Sequence, residues 1–208
     1  MNIGLIGLSA KPFTAGHMGL IQIASNENDE VFVYVSLSTR ARPNEMPVYE
    51  DDMREIWTSI LLNIMPQNVN VEFVPVPIRS IYEKLGEADV SGSEDEFKIY
   101  SDPVDLEERF GETQLKKYTP TLFSNGQVIP RAIQRTETVD VSGTKMRAAV
   151  ASGDFETFKK GMPKGTAQAI WDILSKHASE VTPEKKVKAK KKPALENFIR
   201  KYVRQLLF

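Results

Sequence analysis

Three short apolar runs, separated by helix-forming stretches, restrict the folds open to this chain more than any other feature. Residues 3–8 are almost continuously apolar and end at Ser9, Lys11 and Pro12. Such a run suits a central parallel strand covered on both faces. Residues 16–25 follow, with Leu20, Ile21 and Ala24 at helical spacing, and then residues 31–35, rich in β-branched and aromatic side chains. Residues 50–64 place Met53, Ile56, Trp57, Ile60, Leu61 and Ile64 on one amphipathic stripe that Pro66 stops, and residues 69–74 read as a third strand. This β-α-β-α-β order predicts a doubly wound, Rossmann-like α/β domain with a parallel sheet and right-handed crossovers. The alternative on pattern alone is an α+β fold with an antiparallel sheet.

Beyond residue 77 the pattern is less regular. A short helix is expected at 78–85, and the acidic, Gly/Ser-punctuated stretch 87–96 reads as a solvated loop. A fourth strand is expected at 97–100, a helix at 103–110, and strand-like segments at 127–133 and 138–141. Three helical pieces follow at 144–151, 154–160 and 167–178. The domain is therefore drawn as 1–178, followed by a Lys-rich linker at 179–193 and an amphipathic helix at 194–208. In that helix Leu195, Phe198, Ile199, Tyr202, Val203, Leu206 and Leu207 recur at helical spacing.

Charge divides the chain in the same way. Residues 185–208 carry nine Lys/Arg against one acid, a net +8, so residues 1–184 carry −9 behind the whole-chain value of −1. The Lys run repels itself and reads as a solvated tether, nucleic-acid contact being the alternative. The helix it carries is expected to dock on a partner or to build a homo-oligomer with a second copy of the chain, packing back on its own domain being the alternative. With no Cys and only two His among 208 residues, disulfide scaffolds, thiolate metal sites, cysteine nucleophiles and His-rich zinc sites are excluded. No stretch approaches the roughly 18 apolar residues of a membrane span. The N-terminus lacks a basic n-region and reads as a strand rather than a signal peptide, so a cytoplasmic protein is expected.

Two segments carry chemistry. The first, Ser9-Ala10-Lys11-Pro12-Phe13-Thr14-Ala15-Gly16-His17, leaves the first strand and opens a helix. Helix N-termini present unpaired N–H groups and partial positive charge to phosphate, and ligands of open α/β sheets bind beyond the strands' carboxyl ends. Gly16 allows close backbone approach, Thr14 and His17 flank the helix start, and Lys11 adds a cation. The plainer reading is a strand-to-helix loop capped by Thr14. The second segment, Val141-Ser142-Gly143-Thr144-Lys145-Met146-Arg147, also opens a helix and offers hydroxyls, N–H groups and cations. Its plainer reading is again a capping pattern. Neither matches G-x-x-x-x-G-K-S/T or G-x-G-x-x-G, which argues against ordinary kinases, GTPases and dehydrogenases.

Thr14-Ala15-Gly16-His17, with Pro12 before it, resembles the T/H-x-G-H signature of the nucleotidyltransferase superfamily of adenylyl- and cytidylyltransferases. Ser142-Gly143-Thr144-Lys145-Met146-Arg147 resembles its second signature, I-S-S/G-T-x-x-R, about 130 residues later. Ala151-Ser152-Gly153-Asp154 and Met162-Pro163 are similar to the usual continuation. The resemblance spans roughly residues 1–178 and implies transfer of a nucleoside monophosphate from ATP or CTP to a small phosphorylated acceptor, with pyrophosphate released. It implies that His17 and Thr14 contact the α-phosphate, Ser9 and Ala10 face the phosphates, and Ser142, Thr144 and Arg147 hold the β- and γ-phosphates. Gly143 belongs to the same loop. Asp102 is similar to a G-x-D residue that lines the site after the fourth strand, and Arg40, Arg42 and Arg54 fall where relatives carry cations near the acceptor.

The implied mechanism is in-line displacement by an acceptor already ionised, with charge neutralised by His17, Lys11, Arg147 and Mg²⁺ brought with the triphosphate. The insert at 84–125 is expected to shape the acceptor pocket. Departures from the pattern are Leu8 and Ala10 in the first loop and a longer gap between Arg135-Thr136-Glu137 and Ser142. They leave the base open and supply the rival reading, a non-catalytic nucleotide-binding or scaffold protein on the same fold. A class I aminoacyl-tRNA synthetase is excluded by length and by the lack of a K-M-S-K-S loop.

Overall fold

The computed structural model describes residues 1–133 and 141–180. Strands β1 (Asn2–Leu8), β2 (Glu30–Val35), β3 (Val69–Phe73), β4 (Glu96–Ser101) and β5 (Val128–Ala132) form one parallel sheet in the order β3-β2-β1-β4-β5. The doubly wound expectation holds and the antiparallel alternative falls. The chain travels outward from β1 through β2 and β3, then returns to lay β4 on the other side of β1. This reversal makes the carboxyl ends of β1 and β4 the topological switch point, beyond which open α/β sheets take their ligands.

Period-two alternation explains the continuous apolar runs. Ile6, Leu8, Val31, Val33 and Val35 join one core with Met18, Ile21 and Ala24 of α1 (Ala15–Glu27). Ile3, Leu5 and Tyr34 join a second core with Ile81 and Leu85 of α3 (Pro77–Ser91). Both faces of the strands are buried, as parallel sheets require.

The helix expected at 50–64 is helical throughout but not uniform. It runs as α2 (Glu50–Ile56), a π turn over Trp57–Leu61 and a 3₁₀ turn over Leu62–Ile64. The wider π turn rotates the stripe, so Trp57 and Leu61 are fully buried while Ile64 is 39% exposed. The acidic loop expected from residue 87 is corrected. Residues 87–91 are the last turns of α3, which ends at left-handed Gly92 (φ 68°). The Asp89 carboxylate accepts from the Leu122 N–H at 2.7 Å, so a residue that looked like solvated loop ties two helices together.

The connection to β5 contains α4 (Pro103–Phe110), as expected, and two helices that local pattern did not mark, α5 (Glu112–Tyr118) and α6 (Pro120–Ser124). Phe110, Leu115 and Leu122 from these helices enter the second core. Then come α7 (Gly143–Ser152), α8 (Phe155–Gly161), α9 (Ala167–Leu174) and a 3₁₀ turn at Ser175–His177, matching the three helical pieces. Of the strand expected at 138–141, residues 138–140 lie outside the described residues, as do the Lys run and the terminal helix. Among the described residues no helix is long and apolar enough to cross a membrane.

Candidate active site

The loop leaving β1 turns through a cis Lys11–Pro12 peptide into α1, whose N-cap is Thr14. The Thr14 N–H donates to His17 Nδ1 at 3.1 Å, and Thr14 Oγ1 lies 2.7 Å from the same nitrogen. A backbone N–H can only donate, so Nδ1 is the unprotonated nitrogen and the ring proton sits on Nε2. Phe13 supports the imidazole from behind, with ring centroids 5.5 Å apart, and leans edge-on against Trp57 at 5.1 Å. The capping reading and the site reading are thus compatible: Thr14 sets the helix start and, through it, the His17 tautomer. Gly16 is exposed on the first turn, and a Cβ there would meet only Thr14 Oγ1, at 3.8 Å. Among the described residues nothing in the packing requires glycine at that position, whereas close approach of a ligand would.

Ser9 is exposed, but the Ala10 side chain is buried in the core, so only its backbone remains to face a ligand. Lys11 is 7% exposed, and its Nζ donates to Ser38 Oγ at 2.9 Å, just past the end of β2. Burial, reinforced by the Arg40 charge, pulls the Lys11 ammonium below its ordinary pKa, with Glu50 acting in the opposite sense.

The second segment meets the first directly. Ser142 caps α7 by accepting from the Lys145 N–H at 3.2 Å. Arg147, only 2% exposed, donates through Nη1 to the Lys11 carbonyl at 2.5 Å, across 136 residues of chain. Its Nη2 reaches Thr144 Oγ1 at 3.0 Å and Glu45 Oε2 at 2.6 Å. Gly143 makes the fit possible, since a Cβ there would stand 2.8 Å from the Lys11 carbonyl oxygen. Burial first, and then Arg40 and Arg42, lower the Arg147 pKa against the influence of Glu45.

Glu45, which meets Arg147 and Arg40, is a residue of this cluster that sequence reasoning missed. Burial opposes its ionisation, but Arg147 and Arg40 outweigh that and hold its carboxyl below the usual range. The available signal was a cation-rich, turn-forming stretch, Arg40-Ala41-Arg42-Pro43-Asn44-Glu45, after a strand's carboxyl end. Ser38 was missed for the same reason, that its partner lies on another strand's loop. Asp102, just past β4, caps α4 by accepting from the Asp105 N–H at 3.0 Å. Arg54 pairs with Glu50 at 3.0 Å. With Leu37, Ser38, Phe73, Val74 and Pro75, these two line a cleft of about 290 Å³ between the ends of β2 and β3. No residue of 84–125 lines that cleft.

No family model matches the sequence, and no curated protein does. Among solved structures the fold is similar to a bifunctional NMN adenylyltransferase/ADP ribose pyrophosphatase from Francisella tularensis, with 16% identity and a TM-score of 0.53. That match covers 99% of this chain and 56% of the other, so the chain spans little more than half the length of that protein. The same protein complexed with AMP and a Mn ion matches with 13% identity and a TM-score of 0.54, over 99% and 56% of the two chains. The Plasmodium falciparum nicotinic acid mononucleotide adenylyltransferase complexed with NaAD matches with 15% identity and a TM-score of 0.55, over 84% of this chain and 95% of that one. At these identities the likeness is one of fold.

Proposed function

We propose that this chain is a nucleotidyltransferase that moves a nucleoside monophosphate from ATP or CTP to a small phosphorylated acceptor, with loss of pyrophosphate. One observation carries the reading: the bond from Arg147 to the Lys11 carbonyl, which holds the two motif-bearing helix starts against one crevice. Around that bond lie Lys11, Arg40, Arg42 and Arg147, which among the described residues outnumber the Glu45 and Glu50 carboxylates that act on them, and this suits a polyanion. The shared fold of known adenylyltransferases supports the same reading.

In this reading an acceptor oxyanion attacks the α-phosphorus in line, and the bond to pyrophosphate breaks as the new P–O bond forms. The nucleophile arrives ionised, so no general base is required. His17 donates from Nε2 to a non-bridging α-phosphate oxygen, Thr14 having fixed that tautomer. Ser142, Gly143 and Thr144 offer hydroxyls and N–H groups to the outer phosphates. Lys11 Nζ faces Ser38, which lines the cleft beyond β2 and β3, so its remaining donors address the acceptor side. Leu37, Phe73, Val74 and Pro75 suit an apolar acceptor body, with Arg54 at hand for its phosphate. Mg²⁺ enters as part of the triphosphate substrate and neutralises phosphate charge. Among the described residues no group of three or more His, Asp or Glu is placed to hold an ion, which suits a metal carried largely by phosphate and water.

The test is pyrophosphate release from a panel of nucleoside triphosphates and phosphorylated acceptors. His17→Ala is expected to lower kcat by about 10²–10³-fold, the scale of losing one preorganised donor, while the fold melts normally. Near-normal turnover in that variant would refute the assignment. Nucleotide binding without pyrophosphate release would instead favour the non-catalytic reading.

A further inference from the structure

The Arg147 guanidinium already carries an anion in the arrangement described above, the Glu45 carboxylate. The Glu45 Oε2 atom takes Arg147 Nη2 at 2.6 Å and Arg40 Nε and Nη2 at 3.3 and 3.2 Å. One carboxylate oxygen gripped by two guanidinium groups, one from a helix and one from a loop, is the arrangement arginines adopt around a phosphate. Glu45 comes from the segment 40–48, closed by paired bonds between Arg40 and Val48 at 2.8 and 2.9 Å, with Asn44 left-handed at φ 61°. Met46 and Val48 are 2% and 0% exposed, so the root of this loop is fixed in the core. The Glu45 side chain keeps 24% of its surface exposed, and it is the part that can turn away without moving the backbone.

We propose that Glu45 is a built-in competitor of the polyphosphate, a carboxylate that pairs with Arg147 and Arg40 and is displaced when phosphate enters. The inference rests on the nucleotidyl-transfer reading and adds a control of ligand entry to it. Its physical basis is charge. Without an anion between them, Arg40, Arg42 and buried Arg147 repel one another, and the Glu45 carboxylate offsets that charge. A phosphate oxygen satisfies the same guanidinium groups, and Glu45 then rotates into solvent. The ligand therefore replaces one anion with another and gains less than it would at an open arginine pair.

The experiment is calorimetric titration of the full chain with inorganic pyrophosphate in Mg²⁺ buffer. Glu45→Gln keeps the shape and one acceptor oxygen but removes the charge. It is expected to melt lower than the parent when empty and to bind pyrophosphate at least tenfold tighter. Equal or weaker binding by Glu45→Gln, while the parent binds, overturns the competitor and leaves the nucleotidyl reading standing. If neither protein binds pyrophosphate at millimolar concentration, both readings fall. Should Glu45→Gln fail to fold, Glu45→Asp retains the charge but withdraws it by one methylene. That variant is expected to bind several-fold tighter than the parent, and equal or weaker binding is again a refutation.

Discussion

Gly143→Ala isolates the contact that brings the two motif loops together. The new Cβ would stand 2.8 Å from the Lys11 carbonyl oxygen and 3.2 Å from Arg147 Nη1. An ordinary C···O approach is about 3.3 Å or more, so α7 must retreat by roughly half an ångström from the loop after β1. The atom met is backbone, which cannot swing aside as a side chain can. Overpacking of this kind costs about 1–3 kcal/mol, and the better helix propensity of Ala offsets at most about 1 kcal/mol. The expected net loss is about 1–2 kcal/mol, or roughly 2–8 °C in Tm for a chain of this size. The same retreat stretches the bond from Arg147 to Lys11, and a misplacement of that size should lower kcat/KM about tenfold. Gly19→Ala is the matched control: it lies in α1, nothing stands within 4 Å of its added Cβ, and it should stabilise by about 0.5–1 kcal/mol. Urea melts and pyrophosphate release on both variants complete the comparison. If Gly143→Ala melts at or above the parent, the close approach of the two loops is wrong.

Arg147→Met removes the charge that Glu45 and the Lys11 carbonyl share. Because Glu45 keeps a quarter of its surface exposed, the loss should fall below the roughly 3–5 kcal/mol of a fully buried broken pair; an unchanged urea midpoint would show the tie to be idle. His177 lies between Glu180 at 2.9 Å and Asp52 at 3.1 Å. The Glu180 hydrogen bond first, and Asp52 with it, raise its pKa against burial, so its stabilisation is complete below the ordinary histidine pKa and fades as pH rises through the elevated folded value. Urea midpoints should therefore fall through the neutral-to-alkaline range in the parent and fall less steeply in His177→Gln; parallel slopes would refute this. Tyr100→Phe should cost about 1–2 kcal/mol in the same assay, because its hydroxyl accepts from buried Asn28 at 2.7 Å and donates to half-buried Glu27 at 2.9 Å.

What the sequence by itself determined is local. The apolar runs at 3–8 and 31–35 announce strands buried on both faces because two-residue alternation with both sides apolar leaves no solvent face. Ser142, Gly143 and Asp154 mark helix starts because capping is settled within three or four residues. Both motif loops were legible for the same reason. The end of α3 was not, since its acidic last turns resemble a loop until Leu122 arrives to use Asp89. Nor was the π turn, which shows itself only where Trp57 and Leu61 must both enter the core.

The site's wiring belongs to tertiary structure. Strand order placed the loop after β2 beside the loop after β1, and so gave Lys11 its Ser38 and Arg147 its Glu45. Those partners lie 27 and 102 residues apart, and no local pattern couples charges at such distances. Only when the sheet closes and water leaves the crevice does it matter which carboxylate faces which arginine.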